Sequence, residues 1–109
     1  MGEFDYIRWV HKQTGGNDRV RVGIGDDCAV LTPKHPETLI TTDMLLDGRH
    51  FHLAEAGPVR VGRKALAVNL SDIAAMGGRP TAAVVSLGLP RHGANAIAEG
   101  IFHGMHALA

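Results

Sequence analysis

The chain has 109 residues, enough for one domain with a modest core. Eleven basic residues balance eleven acidic ones, which leaves no basic excess to attract nucleic acid or a membrane surface. Apolar residues make up 45% and charged residues 20%, an ordinary soluble composition.

No apolar run approaches the length of a membrane span. Cys28 is the only cysteine, so an intrachain disulfide and a cysteine-clustered zinc site are both excluded. A reducing, cytoplasmic compartment fits. "MGEFDYIRWVHKQ" is too charged for a signal peptide, and without one the triplet "NLS" at 69–71 is not a glycosylation site. Any anionic ligand must be held by local features, such as backbone N–H groups or a bound metal.

Residues 3–13 read as a short helix, with Phe4, Ile7, Trp9 and Val10 spaced for one apolar face. "TGGND" is a turn. "RVRVGIG" alternates like a strand and "CAVLT" reads as a second short one. "TLITTDMLLDGRHFH" reads as a longer extended segment. Its alternation puts Ile40, Thr42, Met44 and Leu46 on one face and Leu39, Thr41, Asp43 and Leu45 on the other. "AEAGP" breaks the pattern. Residues 59–76 read as the main helix, ended by "MGGRP". "TAAVVSLGLP" reads as a buried strand and 94–109 as a last helix. The order predicts an α+β fold, a mainly antiparallel sheet with helices on one face.

Four aspartates stand in apolar surroundings: Asp26 and Asp27 in "GIGDDCAV", Asp43, and Asp72 in "KALAVNLSDIAAMGG". Adjacent like charges repel, and an apolar setting raises the cost of each. Taken singly, each reads as a helix cap or turn former. Taken together, carboxylates and threonine hydroxyls are hard oxygen donors suited to Mg²⁺, which bridges to phosphates. Asn69 shares a helix face with Asp72 at i, i+3. "GIGDDC" is not a dinucleotide fingerprint, because Cys28 replaces the third glycine and carboxylates would repel a pyrophosphate. "GPVRVGRKA" is not a phosphate-binding loop, because Arg63 displaces the lysine and no Ser or Thr follows. Lys64 reads as lying on the exposed side of its helix, with a phosphate contact as the alternative. His50 follows "DMLLDGR" closely enough to border Asp43's site. Cys28 has no evident histidine partner and reads as a small buried residue.

"GEFDYI", "GIGDDCAVL", "TTDMLLDGRHF", "KALAVNLSDIAAMGGRP" and "SLGLP", in this order, resemble the N-terminal half of the thiamine-monophosphate kinases. These belong to the aminoimidazole ribonucleotide synthetase-like ATP-binding superfamily. The resemblance implies transfer of a phosphoryl group from ATP to thiamine monophosphate. It implies Asp27, Asp43 and Asp72 as Mg²⁺ ligands, with Thr41 and Thr42 adding oxygens. Asp26 supports that loop; Asp26, Asn69 and Lys64 are the nucleotide-side candidates, and His50 is the contact to thiamine monophosphate. It also implies a homodimer built by pairing of N-terminal strands, with ATP near the seam. Family members are longer. They continue with a Gly-Gly-Asp strand and a C-terminal domain, so residues 1–109 correspond to the single N-terminal ATP/Mg and dimerisation domain, truncated before the C-terminal one and expected to be inactive alone. A sister ATPase of the selenophosphate synthetase or hydrogenase maturation type, and a non-catalytic dimerisation module, are the rival readings.

Overall fold

A computed structural model describes residues 2–109. The elements run α1 (Glu3–Gln13), β1 (Val20–Val22), β2 (Val30–Leu31), α2 (Leu53–Ala56), α3 (Pro58–Ala75) and α4 (Ala94–Leu108). They form two compact bodies: residues 2–38 with 81–85, and residues 39–80 with 86–109.

In the first body, α1 starts where the Gly2 N–H donates to Asp5 Oδ2 at 3.1 Å. Glu3 and Asp5 occupy its first turn, His11 and Lys12 its last, the arrangement that complements the helix dipole. Thr14 ends it, its N–H and its hydroxyl both donating to the Val10 carbonyl at 3.1 Å. Tyr6 and Trp9 stack with ring centroids 6.1 Å apart. β1 and β2 pair antiparallel, with Val20 opposite Leu31 and Val22 opposite Val30. Arg21 is the extra residue of a bulge. The Lys34–Asp18 ion pair and a Thr32 N–H to Arg19 carbonyl bond of 2.7 Å extend the ribbon beyond its strands.

The second body is built on α3 and α4. Pro58 opens α3 with its φ already helical, following Gly57 at φ 81°. α3 ends in a Schellman motif: Gly77, at φ 72°, donates to the Ala74 carbonyl and Gly78 to the Ile73 carbonyl. The buried apolar residues are Val61, Ala98 and Ile101. Around them the helices cross at very short range, because Gly62, Gly100 and Gly104 are buried at the contact. A Cβ on Gly62 would strike the Ile101 carbonyl, and one on Gly104 the Val59 carbonyl. One on Gly100 would lie 2.6 Å from Pro58 Cγ.

Helices α1, α3 and α4 fall within a residue of the spans the sequence predicts. The sheet does not. The predicted antiparallel sheet is a ribbon of two short strands, and 81–90, read as a buried strand, is exposed and outside any ladder. Val84 is 88% exposed. Residues 39–46 likewise carry no ladder, and 47–52, read as extended, form a tight turn leading into α2. The reason is physical: β-branched and apolar alternation reports a capacity to pair, but a strand exists only against a neighbour. Among the described residues neither segment has one.

Candidate functional site

The second body assembles a strip along α3. Residues 39–50 run down this helix against its direction. Leu39 packs beside Ile73 and Gly78, where a Cβ on Gly78 would meet the Leu39 side chain. Thr41 Oγ1 donates to Asp72 Oδ2 at 3.4 Å. Further along, Asp43, Met44, Leu45, Arg49 and His50 share a cleft of about 360 Å³ with Lys64 and Val68 of α3. Lys64 Nζ donates to the His50 carbonyl. Lys64 also borders a neighbouring cleft of about 390 Å³ with His52, Glu55 and Arg60.

The turn that presents His50 is set locally. Gly48 takes φ 83°, which suits glycine, and its N–H donates to the Phe51 carbonyl at 2.8 Å. Asp47 Oδ1 accepts the Leu53 N–H at 2.9 Å and so caps α2. His50 Nδ1 accepts the Leu46 N–H at 2.9 Å.

The structure thus gathers Asp43, His50 and Lys64 on one cleft and joins Thr41 to Asp72 beside it. Asn69, one turn before Asp72, donates through Nδ2 to the Ala65 carbonyl at 2.8 Å, and its buried Oδ1 has no partner among the described residues. Thr42 is exposed. Asp26 and Asp27 lie in the other body, on the exposed loop between β1 and β2 that turns at Gly25, φ 111°. There Asp26 Oδ1 accepts the Asp27 N–H at 2.8 Å. Cys28 on that loop is exposed, not the small buried residue that the sequence suggests. His50 and His52 line different clefts, because the turn separates them. Among the described residues no three His, Cys, Asp or Glu side chains converge as a metal cluster. No described helix is long and apolar enough to cross a membrane.

In chemical terms the cleft offers two cations, Arg49 and Lys64, and an imidazole, faced by one carboxylate. Such a lining suits an anion carried together with a cation. The Thr41 hydroxyl and the Asp43 and Asp72 carboxylates are hard oxygen donors, the set that fits Mg²⁺ rather than a softer metal.

The family model described as AIR synthase related protein, N-terminal domain, matches residues 25–109. The chain belongs to this family. It is 42% identical over 110 aligned residues to the thiamine-monophosphate kinase of Bacillus subtilis, covering 100% of this chain and 34% of that protein. It is 40% identical over 108 residues to the enzyme of the same name from Corynebacterium glutamicum, covering 97% and 31%. Against that of Escherichia coli strain K12 the figure is 46% over 91 residues, covering 82% and 28%. The chain spans about a third of the length of the curated relatives it matches. No solved structure gives a significant match. The match to the AIR synthase related family covers the whole strip on α3 as well as the Asp26–Asp27 loop.

Two residues of this site escaped the sequence reading. Arg49 lines the cleft and Asp47 fixes the turn, and both stand in "DGR". The Asp-Gly pair is itself a turn signal.

Proposed function

We propose that this chain supplies the ATP/Mg²⁺ part of an enzyme that phosphorylates thiamine monophosphate to thiamine diphosphate, acting in the cytoplasm as a homodimer. The observation that carries the reading is the 42% identity, over the full length of this chain, to a thiamine-monophosphate kinase. The oxygen donors and cations along α3 support it.

In this reading Asp27, Asp43 and Asp72, with Thr41 and Thr42, would hold Mg²⁺, which when bound neutralises phosphate charge and orients the nucleotide. Asp26 holds the loop that carries Asp27. Asn69 and Lys64 serve the nucleotide side, and His50 meets the phosphate of thiamine monophosphate. The reaction joins a phosphate oxygen of thiamine monophosphate to the terminal phosphorus of ATP and breaks that phosphorus's bond to ADP. The attacking oxygen is already anionic. Positioning and charge compensation therefore carry the chemistry, and no serine or cysteine nucleophile is required. Arg49 and Lys64 supply fixed positive charge against which two anions can approach.

The test is calorimetric titration of the chain with a non-hydrolysable ATP analogue and Mg²⁺. Asp43→Asn and Asp72→Asn should each weaken binding about tenfold or more while circular dichroism stays unchanged. Unchanged binding in both variants would instead make the aspartates structural and the chain a dimerisation module. Competition by thiamine monophosphate separates the kinase from a sister ATPase. The chain alone should form no thiamine diphosphate.

A further inference from the structure

Residues 46 and 50 are tied reciprocally. The His50 N–H donates to the Leu46 carbonyl at 2.9 Å, and the Leu46 N–H donates to His50 Nδ1 at 2.9 Å. Lys64, reaching across from α3, donates to the carbonyl of the same histidine. Asp47 pins the far side of the turn through the Leu53 N–H. His50 is thereby held at its backbone N–H, its backbone carbonyl and one ring nitrogen. Only Nε2 is left to meet a ligand.

A ring nitrogen that accepts a hydrogen bond carries no proton, so a neutral imidazole bound this way keeps its proton on Nε2. We infer that the Leu46 N–H fixes His50 in the Nε2–H tautomer, and that Lys64, by holding the His50 carbonyl, keeps the turn that brings that N–H to Nδ1, so that His50 meets an anion in the cleft as a hydrogen-bond donor and not as a base. Lys64 is then a positioning residue for His50 as well as a charge beside the cleft. An ammonium has three donors, so the bond to the His50 carbonyl leaves two for a ligand. The chemistry agrees. When one phosphate attacks another there is no proton to remove, and a base at this position would present a lone pair to an anion. A fixed donor does the opposite. The identity of the ligand rests on the proposed function; the tautomer does not.

The spectroscopic test needs no ligand. In the ¹⁵N-labelled full chain, at alkaline pH where imidazoles are neutral, long-range ¹H–¹⁵N correlation should show His50 Nδ1 unprotonated and Nε2 protonated. Lys64→Met keeps the stem but removes the donor, and should mix the two tautomers. A Nδ1–H tautomer in the wild-type chain, or a pattern unmoved in Lys64→Met, overturns the inference. A second arm uses side-chain mimicry. His50→Gln can place an amide donor near the Nε2 position and should keep thiamine monophosphate affinity within about threefold. His50→Asn reaches only the Nδ1 position and should lose about tenfold. The reverse order overturns the donor role. If thiamine monophosphate fails to bind the wild-type chain while the Nε2–H pattern is present, the proposed function falls and the tautomer device stands.

Discussion

Gly62 and Gly104 give the sharpest test of how the second body is held together. At each, an added methyl would meet a backbone carbonyl of the opposing helix, not the movable end of a side chain. Neither carbonyl can move without its helix. Overpacking of a close contact costs about 1–3 kcal/mol, and an immovable partner puts these sites near the upper end, about 3 kcal/mol. Alanine recovers about 1 kcal/mol of helix propensity over glycine. The net loss for Gly62→Ala or Gly104→Ala is therefore about 2 kcal/mol, which in a chain of this size lowers the melting temperature by about 10 °C. Gly88→Ala is the control: nothing lies within 4 Å of its added Cβ, and the change should stay within about 0.5 kcal/mol. Thermal and urea melts followed by circular dichroism measure all three. If Gly62→Ala and Gly104→Ala melt with the wild-type chain, the helices are not locked at these glycines and the packing argument is wrong.

Two further outcomes follow from local charge and capping. The Gly2 N–H first, then the Arg8 guanidinium, hold the Asp5 carboxyl below its ordinary value of 3.8, and the Lys34 ammonium does the same for Asp18. A depressed carboxyl contributes stability that is complete above the ordinary value and is lost as pH falls through the lowered one. Both groups are fully exposed, so acid should loosen the start of α1 and the base of the ribbon rather than unfold the chain. Carboxyl NMR titration should place both midpoints below 3.8; Lys34→Ala should return Asp18 toward that value, and Arg8→Ala should raise Asp5 only in part, because the larger Gly2 contribution remains. Asp47→Ala should remove the cap on α2 and cost about 1 kcal/mol locally, read as about fivefold faster amide exchange at Leu53. Unchanged exchange there would show that the cap does not hold the turn.

The helices were legible because their causes are local. Phe4, Ile7 and Val10 fall on one face of α1, Pro58 opens α3, and Gly77 with Gly78 closes it, all within a few residues of one another. The short ribbon read at "RVRVGIG" and "CAVLT" is legible and pairs antiparallel, but the longer strands are not, because their pairing is decided elsewhere in the chain. The alternation in "TLITTDML" is real, yet Ile40 is 88% and Met44 75% exposed. The site divides the same way. Asp43 and His50 read as neighbours from residue type and order, and they line one cleft, to which the structure adds Lys64, read first as lying on the exposed side of its helix. No periodicity could show that Asp72 would meet Thr41, 31 residues away, since that depends on how residues 39–46 lie along α3. Arg49 was missed for a different reason: an extended reading of 47–52 hid the turn that Gly48 makes.

These features are mechanically linked through α3. Gly62 and Lys64 lie two residues apart on one helix. The backbone contact that Gly62 permits with Ile101 fixes the height from which Lys64 reaches the His50 carbonyl. Val68, Asn69 and Asp72 follow on the same rigid element. A methyl at position 62 that forces the helices apart therefore does more than lower stability. It displaces the α3 side of the cleft relative to the turn that carries Arg49 and His50. Catalytic positioning is sensitive to shifts of about 1 Å. Gly62→Ala should then disturb the His50 tautomer pattern in the same sense as Lys64→Met, at temperatures well below its own melting transition. Gly100→Ala is the discriminating comparison, since its added methyl meets the ring of Pro58 at the start of α3, about four turns of chain before Asp72. Loss of stability without a change at His50 is the outcome expected there. The same His50 disturbance from both substitutions would mean that the cleft responds to general loosening and not to the seating of α3.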